Sequence, residues 1–341
     1  LSKGNDRTWC FWAKEPTIFD SIVAQRWDTI LVKDALQYSE IAINPYTYNK
    51  IESADFYAFA KAELSQHSTV TFIEGNVLRF DETDTSVLVT IAEQQYTCST
   101  LLNSIYTPEL LTKQQEAVVL QQHFLGWFVE TEEDVFDPKV ATYMDFSIPQ
   151  KGNCRFMYVL PTSKNKALIE YTLFSERLLA KELYEEAIKD YLENLGVRSY
   201  TITDKEMGSI PMTTYDFTQH NSKNIVHIGT AGGWTKASTG YTFSSTLKKS
   251  LATLDFIKSG ASFTNFSLRN RWTFYDSVLL QVLKDSNELG ASIFTAMFKN
   301  GKAGHIFRFL DEESSFMDEL KVILSAPKIP FIKAALKVLF K

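Results

Sequence analysis

Residues 166–175 read KALIEYTLFS, a run in which one carboxylate stands among apolar neighbours. Drawn as a strand, it alternates, with Leu168, Glu170, Thr172 and Phe174 on one face and Ile169, Tyr171 and Leu173 on the other. A carboxylate on an apolar face is costly unless it is paired, neutralised or functional. Desolvation raises its pKa and keeps the proton on, which makes Glu170 a candidate proton donor near neutral pH. The other reading is an edge-strand glutamate that faces water or pairs with a lysine. Aromatic residues crowd the neighbouring strands, among them Trp127, Phe156, Tyr158, Tyr171 and Trp234. Most aromatics in any chain are core, yet a ring face also steadies a cation by ~0.5–2 kcal/mol. An acid beside an aromatic-lined cavity would suit a reaction that passes through a carbocation.

A second stretch, HIGTAGGWTKASTGYTF at 227–243, is a glycine-rich turn after an apolar strand. Gly229, Gly232 and Gly233 let a backbone approach a ligand closely, and Gly240 can take dihedrals closed to other residues. Ser238 and Thr239 are candidate N-caps for the helix that follows, whose free N–H groups point back at the turn. An anion or an electron-rich ring could rest there. The competing reading is a tight strand-to-helix turn that binds nothing. A third stretch is the tail, where Lys333, Lys337 and Lys341 share one helical face and Phe331, Ile332, Leu336, Leu339 and Phe340 cover much of the rest. Such a basic amphipathic helix either lies in a membrane interface or packs on the protein's own surface.

These stretches need a frame. The chain has 341 residues, 45 % of them hydrophobic, which is enough for two domains or one elaborate one. A net charge of −6 excludes nucleic acid as a general partner, because no strong positive field is present to displace counterions. Three scattered cysteines, Cys10, Cys98 and Cys154, indicate a reducing compartment. No histidine or cysteine spacing suggests a metal. No apolar run approaches the ~20 residues needed to span a bilayer. Residues 45–66 carry helical spacing through Ile51, Phe56 and Phe59, and 70–103 read as short β segments. Four β-rich runs follow between 117 and 175, then a helix over 176–195 closed by Gly196. The strand and turn at 224–233 lead to a helix ending at Gly260, and 261–341 is mostly helical. No internal repeat or low-complexity tract is present.

Read in order, NDRTWCFW, QHFLGWFVET, FMYVLPTS, ALIEYTLFS, EMGSIPMT and GTAGGWTKASTGYTF resemble the motif series of bacterial lycopene cyclases, over Asn5 to about Gly260. The resemblance implies a mixed α/β, flavin-monooxygenase-like fold. In it a Rossmann-like FAD domain is interleaved with an antiparallel substrate domain and followed by a helical C-terminus. It divides the chain into 1–110, the remainder of the FAD domain with the first substrate-domain strands; 111–215, the antiparallel substrate domain; 216–260, the second part of the FAD domain; and 261–341, a helical region with its amphipathic tail. The dinucleotide GxGxxG and its following acidic residue are not in this sequence, so the reading expects an N-terminally truncated chain that binds FAD poorly.

Further implications follow from the same resemblance. Asp6, Arg7, Gly229, Thr230, Ala231, Gly232, Gly233, Ser238, Thr239, Gly240 and Tyr241 would contact FAD, reduced by NAD(P)H. Glu170 would be the catalytic acid for a redox-neutral closure of the ψ-ends of lycopene, or of a related acyclic carotenoid, into β-rings. Asp145 is a second candidate carboxylate or a structural hydrogen-bond acceptor, and Glu206 is a third. Trp127, Phe156, Tyr158, Tyr171 and Trp234 would line the cation's cavity. Phe331–Lys341 would dock the enzyme on a membrane surface, giving a cytoplasmic, peripherally attached protein. The rivals are an NAD(P)H-consuming isoprenoid reductase or aromatic hydroxylase on the same fold, and a non-catalytic carotenoid- or membrane-binding protein.

Overall fold

A computed structural model describes residues 4–340; Lys341 of the expected tail lies outside them. The first strands are β1 (Thr8–Ala13), β2 (Val23–Trp27), β3 (Thr29–Lys33), β4 (Tyr38–Ala42) and β5 (Thr47–Glu52), followed by helix α1 (Ser53–Ser65). The helix expected over 45–66 is therefore half strand. Residues 47–52 pair with β1 on one side and β2 on the other, and this two-sided pairing overrides the helical spacing. Next come β6 (Val77–Glu82), β7 (Val87–Ile91), β8 (Gln94–Cys98), β9 (Leu101–Asn103) and the short α2 (Glu109–Lys113). Strands β6, β7 and β8 form the antiparallel meander that the sequence suggests.

The central sheet is built from β10 (Val119–Thr131), β11 (Val140–Asp145), β12 (Cys154–Pro161), β13 (Lys166–Ser175) and, after α3 (Lys181–Asn194), β14 (Tyr200–Thr213). Its seven strands run in the order β14-β10-β13-β12-β11-β3-β4, with only β11 and β3 parallel. Strand β13 is buried at every position except Lys166. That is what a near-continuous apolar run does when both faces of a sheet are covered. On one face lies α3, whose Tyr184, Ile188, Tyr191 and Leu192 recur at helical spacing and pack on Leu125, Ile169 and Leu173. Gly196 closes α3 with a left-handed φ of 79°.

The other face carries the larger core. It is roofed by β1, β5 and the helices α5 (Arg271–Asp285), α6 (Gly290–Asn300), α7 (Ala303–Leu310) and α8 (Phe316–Ser325), which follow β15 (Ile225–His227) and α4 (Phe243–Ser259). Helix α9 (Lys328–Leu339) then packs on α5, burying Ala334 beside Val278 and Val282. A parallel pair, β15 with β9, carries the glycine turn. Strand β14 was not expected as a strand. It is a polar edge strand with Pro211 near its end, where a missing N–H costs least.

Candidate active site

Strands β14, β10, β13 and β12 align one residue each in a single rung: Glu206, Gly126, Glu170 and Tyr158. Residues directly opposite in a ladder share a face, so all four stand on the side away from α3. A Cβ on Gly126 would come within 2.9 Å of Leu168 Cδ1, 3.2 Å of Glu206 Cγ and 3.6 Å of Glu170 Cβ. The missing side chain leaves room over β10 for Leu168 and Glu206, with Glu170 beside them. A lone glycine inside the apolar run QHFLGWFVE was the signal that could have found this position, because a strand glycine often marks a close approach.

The parity of β14 depends on one extra residue. Phe128 pairs with Asp204 and Val129 with Ile202, leaving Thr203 out of the ladder register, its hydroxyl donating to the Phe128 carbonyl at 3.2 Å. Bulges of this kind re-aim the side chains beyond them. Tyr200 and Ile202 consequently pack against the α3 side, while Glu206, only four residues after Ile202, faces the opposite way.

Above the rung lies a cavity of about 970 Å³, at the upper end of small-molecule pockets. It is lined by alternate residues of β13 (Leu168, Glu170, Thr172 and Phe174), by Phe156 and Tyr158 of β12, and by Glu206. It extends from Asp6 and Arg7 at one end to Leu324, Phe331 and Ile332 of α8 and α9 at the other. Glu170 is buried and accepts a 2.5 Å hydrogen bond from Thr172 Oγ1. Burial, reinforced by the negative charge of Glu206 and opposed by the Thr172 bond, pushes its pKa up to about 8. Burial raises Glu206 as well, but Thr8 and the Lys50 ammonium favour its charged form. Both carboxyls are raised, and Glu170, where only the Thr172 bond opposes burial, keeps its proton at neutral pH.

Lys50 and Cys10 were missed by the sequence reading. Lys50 is almost fully buried on β5, pairs with Glu52 at 3.3 Å and lies 5.3 Å from the Phe128 ring centre. A lysine in the segment read as helix gave no sign of standing near Glu206. Cys10 does line the cavity, but burial pushes its thiol up to about 12, so it is a poor nucleophile. A chain of phenols joins the rung to the glycine turn. Tyr48 shares hydrogen bonds with Tyr158 at 2.5 Å and with Tyr241 at 2.7 Å. Burial pushes all three well above the ordinary phenol range and keeps them neutral.

Of the remaining expected residues, some stand elsewhere. Asp145 is not in the cavity. It is fully buried on the α3 side, paired with Lys33 at 2.9 Å and bonded by Tyr191 and Ser147, which is the structural-acceptor reading. Trp127 and Tyr171 are one residue out of phase with Glu170 and therefore sit under α3, with the Tyr171 hydroxyl accepting from Arg155. Trp234 is buried behind the turn and does not line the cavity. Only Phe156 and Tyr158 of the five cation-facing candidates line it.

The glycine turn divides in the same way. Thr230, Ser238, Thr239, Gly240 and Tyr241 line the cavity, together with Asp6 and Arg7, whereas Gly229, Ala231, Gly232 and Gly233 shape the turn from behind. Gly229, Gly233 and Gly240 have positive φ. Ser238 and Thr239 do not cap α4; the helix begins later, with Thr242 at the N-cap and no side-chain cap bond. Lys236 fastens the turn to α5 and to the segment after α7 through buried ion pairs with Asp276 at 2.9 Å and Glu312 at 3.0 Å. Asp6 accepts from Ser53 at the start of α1. The Gln122 carbonyl oxygen, packed where a Cβ on Gly240 would fall, is buried with no hydrogen-bond partner. It marks a place in the cavity wall for a ligand N–H.

At the far end, α9 presents two faces. Phe331, Ala334, Ala335 and Val338 pack inward, and Lys337 pairs with Asp285 at 2.6 Å. Ile329, Ile332, Leu336, Leu339 and Phe340 remain exposed, as do Phe316, Met317 and Leu324 of α8. No helix among the described residues is long and apolar enough to cross a membrane.

A family model described as lycopene cyclase protein matches residues 1–336. The chain is 24 % identical over 229 residues to a lycopene beta-cyclase of Pantoea ananas, covering 62 % of this chain and 58 % of that relative. Among solved structures, halogenase PltM in complex with ethyl mercury and mercury superposes with a TM-score of 0.56 at 13 % identity, over 94 % of this chain and 76 % of that one. A geranylgeranyl bacteriochlorophyll reductase-like protein from Thermoplasma acidophilum gives 0.52 at 9 % identity, over 94 % and 81 %. A triple mutant of the flavin-dependent brominase Bmp2 gives 0.51 at 14 % identity, over 95 % and 85 %. At these identities the likeness is one of fold.

Proposed function

The chain belongs to the lycopene cyclase protein family, and on that premise we propose that it closes the open ends of lycopene, or of a related acyclic carotenoid, into β-rings without net oxidation or reduction. The observation that carries this reading is Glu170: a buried acid that keeps its proton at neutral pH, set in a large cavity between Phe156, Tyr158 and Phe174. Glu170 donates that proton to a terminal alkene carbon. The apolar walls exclude water that would otherwise trap the resulting cation, and the faces of Phe156 and Tyr158 steady it. Thr172 donates to one Glu170 oxygen, and the other would carry the proton.

Residues of the same cavity, beyond the phenol chain, suit flavin adenine dinucleotide. Asp6, Arg7, Thr239, Gly240 and Tyr241 would hold it, and the unpartnered Gln122 oxygen beside Gly240 offers an acceptor to a ring N–H. When bound and reduced by NAD(P)H, the cofactor would supply negative charge to the cavity.

The substrate must come from a lipid phase, and the cavity reaches Leu324, Phe331 and Ile332 next to the exposed apolar stripe of α8 and α9. Lys328 and Lys333 flank that stripe and suit an anionic bilayer surface. These helices therefore form the docking face, and the cavity mouth opens onto the membrane. Expression of the full-length protein in cells that accumulate lycopene, with pigments separated by chromatography, tests the reading. Cyclic carotene is expected. Intact lycopene beside folded, flavin-loaded protein would overturn it, and substrate-dependent loss of NAD(P)H would point to a reductase.

A further inference from the structure

Closing a ring takes two proton events, and Glu170 accounts for one of them. Once the terminal alkene has been protonated, the electron pair of the next alkene forms the new carbon–carbon bond. The positive charge then moves to a tertiary ring carbon. Three kinds of C–H bond adjoin that carbon: one at the ring position bearing the polyene, one in the ring methylene and one in the methyl group. Losing a proton from the first gives a β-ring, from the second an ε-ring, and from the third a ring with an exocyclic double bond. The ring type therefore depends on where the base stands.

We propose that Glu206 is that base, and that its position over Gly126 selects the proton whose loss makes the β-ring. The assignment rests on the cyclase reading above and adds the residue that ends the reaction. Glu206 and Glu170 lie on the strands either side of β10, in register with the same residue, about 10 Å apart at Cα by two interstrand steps. Both line the cavity, and the space over Gly126 between their strands is shared by Glu206 itself and the Leu168 side chain. The groups facing Glu206 are Thr8 on β1, the buried Lys50 on β5, Asp204 on its own strand and Glu170 across the gap. Lys50 and Thr8 work against the burial that raises Glu206, whereas at Glu170 only the Thr172 hydrogen bond does so, and Glu170 holds the proton.

The cycle balances. The Glu170 O–H bond breaks as the new substrate C–H bond forms. The electron pair of the C–H bond broken by Glu206 becomes the ring double bond. Glu170 ends ionised and Glu206 ends protonated, and one proton transfer across Gly126 restores both without any oxidant or reductant.

The test compares wild type, Glu206→Gln and Glu206→Asp in full-length protein, assayed in lycopene-accumulating cells and on lycopene-loaded liposomes of anionic phospholipid. Folding is checked by thermal melting, and products are resolved by ring type. The expected result is a loss of about 100-fold or more in rate for Glu206→Gln. Residual product should shift from β-rings toward ε- or exocyclic rings. Glu206→Asp should recover rate with a partly shifted isomer ratio, because its carboxylate is one methylene shorter. Wild-type rate in Glu206→Gln, or an unchanged isomer ratio in whichever variant still gives product, would overturn the assignment. Lycopene left intact by the wild type would overturn the cyclase reading, and this assignment with it.

Discussion

Replacing Glu170 by glutamine is expected to destroy activity and to stabilise the protein, and the stabilisation should depend on pH. Burial lifts the folded-state pKa of Glu170 from 4.5 to about 8, so the folded chain binds this proton more tightly than the unfolded chain does. Stability from this group is fully present below pH 4.5 and is lost as pH rises toward 8. By pH 7 the folded state has kept a proton that the unfolded state has released. Over about 2.5 pH units, at roughly 1.4 kcal/mol each, that costs about 3 kcal/mol. Glutamine cannot ionise, keeps the volume and still offers an oxygen to Thr172. Urea unfolding of both proteins at pH 5 and pH 7.5 measures the difference. The variant should match the wild type near pH 5 and exceed it by about 3 kcal/mol at the higher pH, while cyclisation falls by at least 100-fold or so. Parallel stability at the two pH values would show that Glu170 is not a neutral buried acid, and the argument for it as proton donor would fall with that result.

The rest of the site and its supports can be probed separately. Gly126→Ala places a Cβ against Leu168 and Glu206; turnover should drop about tenfold or more, with thermal stability little changed, and an unaffected rate would mean that the gap between the glutamates is incidental. Tyr48→Phe leaves the hydroxyls of Tyr158 and Tyr241 each short of a partner, so denaturant unfolding should show a loss of about 1–3 kcal/mol. Lys236→Met strands Asp276 in the interior and should cost about 3–5 kcal/mol by the same measurement. Ile332→Glu with Leu336→Glu alters exposed positions only; the double variant should fold normally and fail to float with anionic liposomes, and unchanged flotation would remove α9 from the docking face.

The central strand was readable because its chemistry and its geometry agree. KALIEYTLFS is apolar enough to be a doubly covered strand, and its alternation puts Glu170 with Leu168 and Phe174, as found in the cavity wall. The same alternation sets Tyr171 opposite Glu170, so counting Tyr171 and its neighbour Trp127 among the cavity aromatics ignored phase. What stayed hidden depends on partners distant in the chain. Residues 47–52 become a strand only because β1 and β2 flank them, and that pairing brings Lys50 near Glu206. Strand β14 is too polar to announce itself, and its place beside β10 cannot be inferred from its own residues. Whether Asp145 is a catalytic carboxylate or a hydrogen-bond acceptor turns on Lys33 and Tyr191, both far away in sequence.

The out-of-register Thr203 has a bearing on how relatives are compared. Where Glu206 points is decided by how many residues separate it from Ile202, not by the identity of any side chain in between. A relative that shortened this stretch by one residue would keep every recognisable motif and still turn its carboxylate toward α3. One that lengthened it by two would keep the carboxylate in place with a different strand end. Gap placement within 200–206 is thus the feature to inspect first when activity is transferred from one sequence to another, and a motif count alone would rank an active and an inactive chain as equals.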